Sequence, residues 1–156
     1  MEVQIFIKVC YGAHKKKSIY AACILFTTPK GIKVKRYYYG NMDKTTGYEN
    51  VILTALVESM QHLTKPCSIT AYTRTQYIKN MLNRGSPGKW ERNRWRNAKG
   101  KPVACAEQWK SFLRLLDIHN LEFEEAQNNE YTAEMDKVLQ KMKEELRDGF
   151  KESKEE

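Results

Sequence analysis

The sequence lacks any apolar run approaching the ~20 residues of a membrane span, and its first residues, Met1-Glu2-Val3-Gln4, do not read as a signal peptide. A soluble, cytoplasmic protein with no membrane partner is the expectation. The four cysteines, Cys10, Cys23, Cys67 and Cys105, stand far apart with no Cys-x-x-Cys or His–Cys spacing. That argues against a zinc site or a disulfide framework. Cys10 and Cys23 fall in apolar strand patterns, so buried free thiols in a reducing compartment are expected. His14, His62 and His119 are scattered, and none pairs with a cysteine or serine in a catalytic spacing. His62, after a helix, and His119, at a helix end, read as caps or surface residues. There is no glycine-rich phosphate loop, no internal repeat and no low-complexity tract. Nothing here asks for a cofactor.

Acids are scarce where bases are dense. Between Arg84 and Lys101 stand seven basic residues against one acid, Glu91, with Trp90 and Trp95 interleaved. The whole chain holds 27 Lys plus Arg against 19 Asp plus Glu, a formal charge of +8, which favours polyanionic partners such as nucleic acid. The charge is uneven, because Asp117 to Asp136 contains seven acids and no Lys or Arg. Cations for phosphate oxygens together with flat rings for sugars or bases make a nucleic-acid contact surface. The same composition also fits a solvated basic loop whose tryptophans pin it to the core.

With 156 residues the chain is most simply one α/β domain. Val3–Val9, Ile19–Thr27 and Ile32–Gly40 read as strands, joined by turns at Tyr11–Ser18 and Thr28–Gly31 into an antiparallel meander. Ile52, Leu53, Leu56, Val57, Met60 and Leu63 recur at helical spacing and predict a helix that ends at Pro66. Ser68–Thr73 follows as a fourth strand, parallel to its neighbour through a right-handed crossover. Gln76–Leu82 reads as a short helix ended by Gly85 and Pro87. After the basic segment come a helix over Glu107–His119, a strand over Leu121–Glu125 and an amphipathic helix over Thr132–Leu146. Residues 1–146 form the single domain, with the basic segment at 84–102. Residues 147–156 are a charged tail, frayed from Phe150.

Tyr72-Thr73-Arg74-Thr75-Gln76-Tyr77-Ile78 resembles the strand-to-helix segment that ribonuclease H writes Tyr-Thr-Asp-Ser-Gln-Tyr-Val. Lys89–Trp95 and Lys101-Pro102-Val103 resemble the basic protrusion, or handle, with which that family grips an RNA–DNA hybrid. Trp109 falls where the family's next helix carries a tryptophan. Val3-Gln4-Ile5-Phe6 lines up with the first strand, without a gap through Tyr20, Ala22 and Ile24, and the resemblance extends to about Met142. It implies an RNase H-like fold: a five-stranded mixed sheet in the order 3-2-1-4-5, flanked by helices, with a basic handle. It implies nucleic acid as partner, an RNA–DNA hybrid or other duplex. The implied contacts are Lys8, Arg74, Gln76, the Lys15-Lys16-Lys17 turn, and Lys89, Trp90, Arg92, Arg94, Trp95, Arg96, Lys99 and Lys101. For the lysine turn a merely solvated role fits equally.

Ribonuclease H is similar to other nucleases in which four carboxylates hold two Mg²⁺ ions. The resemblance lays those four places on Lys8, Ile52, Arg74 and Ala133. All four carboxylates are thus missing, and a site of formal charge −4 becomes one of +2. The loop before the last motif is shortened to Ala126-Gln127-Asn128, so the family's general-acid histidine has no counterpart. Glu49, Glu134 and Asp136 are the only acids near enough to rebuild a site. Glu134 is turned ~100° from Ala133 on a helix, and nothing replaces Lys8 or Arg74. A catalytically inactive nucleic-acid-binding protein without metal is therefore the first expectation. A scaffold for a protein partner and a residual hybrid ribonuclease are the alternatives. The handle favours binding, since a scaffold has no reason to hold seven cations and two tryptophans there.

Overall fold

The structure is a computed structural model that describes residues 1–14, 16–43 and 47–155, with side chains through residue 149. Five strands and five helices follow in the order β1 (Glu2–His14), β2 (Lys17–Thr27), β3 (Lys33–Asp43), α1 (Tyr48–Met60), β4 (Ser68–Thr73), α2 (Tyr77–Asn83), α3 (Ser86–Arg92), α4 (Ala106–Leu116), β5 (Asn120–Glu125) and α5 (Glu130–Glu155). They build one sheet in the order β3-β2-β1-β4-β5. The meander β1–β2–β3 is antiparallel, and β1–β4 and β4–β5 are parallel. This is the order and mixed pairing that the resemblance implied.

Burial on both faces explains why β2 reads as a continuous apolar run: every residue from Ser18 to Leu25 is buried. One face carries α1, whose Val51, Ile52, Leu53, Ala55, Leu56, Val57 and Met60 are buried together with Trp109 and Phe112 of α4. Each Val, Leu, Ile, Met or Phe among them removed from water contributes roughly 1.5–3 kcal/mol. On the other face α5 seats Tyr131, Met135 and Leu139, spaced by four, on Phe6, Ile19, Ala21 and Cys23. Tyr20 crosses from β2 to hydrogen-bond Glu58 of α1. It fits only because Gly40 on β3 has no Cβ to meet its ring. The two sheet edges differ in charge: β3 exposes Lys33, Lys35 and Arg36, whereas β5 exposes Glu122, Glu124 and Glu125.

Several expectations are corrected. The first strand does not stop at Val9 but continues to His14, because the hairpin absorbs an irregularity between Cys10 and His14. Gly12 takes φ 64 there and donates its N–H to Ser18 Oγ at 2.9 Å. Pro87 does not merely end a helix; it lies in the first turn of α3, where a missing N–H costs nothing. The last helix runs to Glu155 rather than Leu146. His119 is buried, 3% exposed, and its Nδ1 accepts the Cys67 N–H at 3.0 Å, so it ties β4 to β5. Burial holds its pKa below the ordinary value. His62, by contrast, is exposed as a surface residue should be, and stacks on Tyr38 at 4.1 Å. The four cysteines are free, Cys23 and Cys67 buried but Cys10 and Cys105 only half-buried. Among the described residues no helix is long and apolar enough to cross a membrane.

Candidate nucleic-acid interface

Lys8 lies on β1 two residues beyond Phe6, whose partner on β4 is Tyr72, and Arg74 lies two residues beyond Tyr72. The parallel register therefore brings the two cations to one end of the sheet. Both line a cavity of about 160 Å³ with Ile7, Val9, Tyr48, Ile52, Ala126 and Asp136. Three of the four places matched to carboxylates, Lys8, Ile52 and Arg74, thus meet in one cleft. The fourth, Ala133, is exposed in the first turn of α5 and does not line it. Three residues further along the helix, hence on the same face, Asp136 reaches in instead. Its Oδ2 lies 3.5 Å from Lys8 Nζ, with the lysine side chain 18% exposed and the aspartate 58%.

Asn129 places that helix. Its Oδ1 accepts the N–H groups of Tyr131 and Thr132, both at 2.9 Å, and its N–H donates to Thr132 Oγ1 at 2.8 Å, a reciprocal cap. Phe6 then stacks on Tyr72 and Tyr131, which fixes α5 over β1 and β4. Tyr48 lines the cavity, and burial pushes its phenol above its ordinary pKa, opposed by Arg74 and aided by Glu49. Its hydroxyl stays protonated at neutral pH.

Arg74 and Ala126 also border a second cavity of about 410 Å³, lined further by Gln76, Lys79, Glu124 and Glu125. Gln76 is exposed there at the start of α2. Lys16 and Lys17 are exposed at the β1–β2 turn, and Lys17 pairs with Asp43 on β3 at 3.2 Å. Lys15 lies outside the described residues.

The handle is a braced structure. After α3 the chain reverses through Arg94 (φ 55) and Trp95 (φ 61), two consecutive non-glycine residues in the left-handed region. The Trp90 carbonyl accepts the N–H groups of Asn93 and Trp95. Asn97 Oδ1 accepts from Lys99 N and Lys101 N at 2.9 and 3.1 Å, and Asn93 Nδ2 donates to the carbonyls of Arg96 and Asn97. Arg96 bridges Pro102 and donates from Nη1 to the Gly100 carbonyl at 2.9 Å. On this frame Arg84, Lys89, Arg92, Arg94, Arg96, Lys99 and Lys101 are all exposed. Among the described residues none of the seven is in an ion pair. Trp90 and Trp95 are half-buried against the main core. Trp90 meets Trp109 edge-on at 5.4 Å, and Lys110 Nζ lies 5.5 Å from the Trp95 ring centre. The rings hold the handle down while its cations point outward.

The side chains at the matched places do not fit a pair of Mg²⁺ ions, which take hard oxygen ligands. An ammonium, a guanidinium and two alkyl groups offer none, and the one carboxylate in the cleft is engaged by Lys8. Among the described residues no three His, Cys, Asp or Glu side chains gather to hold a metal. Lys79 and Tyr48 escaped the sequence reading, and no spacing signalled them; only the packing of α2 and α1 against the strand ends brings them in.

No protein-family model matches the chain. It is 31% identical over 96 residues to the ribonuclease H of Caldicellulosiruptor saccharolyticus, covering 62% of this chain and 66% of the relative. With the ribonuclease H of Chlorobium phaeobacteroides it shares 28% over 122 residues, 78% and 80% of the two chains. With that of Chlorobium phaeovibrioides it shares 33% over 91 residues, 58% and 62%. The matched stretch thus spans just under two thirds of the first and third of these relatives. Among solved structures, LC9-RNase H1, a type 1 RNase H with the type 2 active-site motif, superposes with a TM-score of 0.64 at 15% identity, over 83% of this chain and 64% of that one. A foamy viral protease-reverse transcriptase in complex with dsDNA gives 0.60 at 14% identity, over 88% and 89%. Identities this low speak for the fold.

Proposed function

We propose that this chain, a ribonuclease H relative with the RNase H-like fold, grips the backbone of a nucleic-acid duplex, an RNA–DNA hybrid foremost, without cutting it. The handle carries the reading: seven exposed cations stand on a frame whose turns are fixed before any ligand arrives. Pre-ordering lowers the entropy lost on binding, and phosphate contacts supply affinity that is largely blind to sequence. Lys8 and Arg74 extend the positive surface into the cleft, Gln76 adds a neutral polar contact in the neighbouring cavity, and Lys16 and Lys17 stand exposed at the β1–β2 turn. Trp90 and Trp95 serve as braces. The relatives are named ribonuclease H, whereas the cleft of this chain offers cations where Mg²⁺ would need carboxylates. Binding and chemistry are therefore separable here, as a shared fold permits.

The test is a titration of labelled RNA–DNA hybrid, double-stranded RNA, duplex DNA and single strands at several salt concentrations, with and without EDTA. Binding should survive the chelator. Changing Arg92, Arg94 and Arg96 together to alanine should flatten the log–log salt slope by about two to three units, near 0.9 for each phosphate no longer neutralised. Incubation of the hybrid with Mg²⁺ or Mn²⁺ should give no cleavage above background. Metal-dependent cleavage that copurifies with the protein would restore the ribonuclease reading. An unchanged slope in a folded triple variant would favour the protein scaffold.

A further inference from the structure

We infer that the cleft is a binding site for one phosphate group, held between Arg74 and Lys8, and that Asp136 is a built-in competitor that occupies Lys8 until the phosphate arrives. This deepens the nucleic-acid reading above and rests on it for the source of the phosphate.

Charge favours an anion. Two cations, Lys8 and Arg74, and one anion, Asp136, line the cavity; with Asp136 turned out, both cations face the entering phosphate, and the cavity volume of about 160 Å³ is roughly ten times what a single water needs. The remaining walls are largely apolar: Ile7, Val9, Ile52 and Ala126. Such walls strengthen the attraction between the cations and an entering anion. Asp136 relieves Lys8 alone; among the described residues Arg74 is in no ion pair. Its planar fork suits two oxygens of one phosphate. Tyr48 completes the wall.

The geometry also says which partner moves. At 3.5 Å the Lys8–Asp136 contact is longer than the about 2.7–2.9 Å of a charge-assisted hydrogen bond, so it exchanges readily. Lys8 is enclosed and stays, while Asp136 lies mostly in solvent and leaves by rotating its side chain, with α5 unmoved. A phosphate entering between the cations thus displaces one carboxylate and needs no backbone rearrangement.

The test uses the full chain. Inorganic phosphate, added at constant ionic strength to ¹⁵N-labelled protein, should shift the Arg74 side-chain Nε–H resonance, and Asp136→Asn should lower the phosphate concentration that half-saturates the shift. In EDTA, Asp136→Asn should bind labelled hybrid about two- to fivefold tighter, the size of a partly exposed ion pair. That gain should vanish in the Lys8→Met background. It should also exceed the gain from Glu134→Gln, which removes the same charge from α5 outside the cavity. Hybrids with and without 5′-phosphates separate the sources: equal gains assign an internal phosphodiester, and a gain confined to phosphorylated ends assigns a terminal phosphate. The proposal is overturned if Asp136→Asn binds no tighter, if its gain persists without Lys8, or if Glu134→Gln matches it. A silent Arg74 resonance alongside normal hybrid binding sinks the site and leaves the nucleic-acid reading standing. A phosphate-responsive Arg74 in a protein that binds no duplex does the reverse.

Discussion

Truncating Trp90 to alanine separates a brace from a base-stacking ring. The ring is half-buried and meets Trp109 edge-on at 5.4 Å and 70°, while Trp109 itself is 1% exposed. Removing a fully buried tryptophan costs about 3–5 kcal/mol. A half-buried one should cost about half of that, and the edge-to-face pair adds roughly 0.5–1.5 kcal/mol. A loss of about 2–4 kcal/mol is expected, and in a domain of this size that lowers Tm by about 4–16 °C. The backbone carbonyl that accepts from Asn93 and Trp95 survives the substitution, so the change isolates the ring. Thermal unfolding followed by circular dichroism measures the loss, and Trp90→Phe should recover at least half of it. Fluorescence anisotropy with hybrid reads binding in the same buffer. Stacking on a base would be worth about 1–3 kcal/mol of affinity. If Trp90→Ala unfolds within about 1 °C of the parent yet binds tenfold more weakly, the ring faces nucleic acid and does not act as a brace.

Two further outcomes follow from the core. Gly40→Ala puts a methyl into the Tyr20 ring, and such overpacking should cost about 1–3 kcal/mol; a Tm unchanged from the parent would mean that β3 shifts freely. Stability should also fall as pH rises above about 9. Burial raises Cys23 from 9.0 to about 11, against a lowering hydrogen bond from Tyr37, and burial raises Tyr37 from 10.0 to about 12. Both folded values lie above the unfolded ones, so their contribution is complete below pH 9 and is lost as pH climbs from about 9 to 12. Urea midpoints at pH 7, 9 and 10.5 check this, and Cys23→Ala should flatten the early part of the decline.

Much of the fold was legible because the hydrophobic pattern was unambiguous. Ser68–Thr73 alternates and is found as a strand with those bounds, and the apolar stripe around Leu53 and Leu56 is the buried side of α1. The hairpin beyond Val9 was missed because Tyr11, Gly12 and the lysines look like a turn, whereas pairing with β2 continues across the irregularity. The buried role of His119 was hidden for a different reason: its partner, the Cys67 N–H, lies 52 residues away. In the cleft, sequence placed Lys8 and Arg74 on adjoining strands and weighed Asp136 as a stray acid near Ala133. That Asp136 points at Lys8 depends on how α5 rotates on Phe6 and Met135, a packing result that no local spacing encodes. The tryptophans of the handle admitted two readings by composition; their rings are half-buried against the core, and the Trp90 substitution above separates a brace from a stacking contact.

The charged edges of the sheet bear on assembly. A free strand edge is a template for another chain. Two copies meeting β3 to β3 set Lys33, Lys35 and Arg36 against themselves, and β5 to β5 does the same with Glu122, Glu124 and Glu125. Both closed, two-fold arrangements are repulsive. A β3-to-β5 meeting brings opposite charges together, but it is heterologous and satisfies both edges only where the rotation between copies closes a ring. The interaction between exposed edges is screened over about 8 Å at physiological ionic strength and reaches about 30 Å at 0.01 M. The like charges along each edge therefore oppose two-fold edge pairing of copies most strongly in dilute buffer.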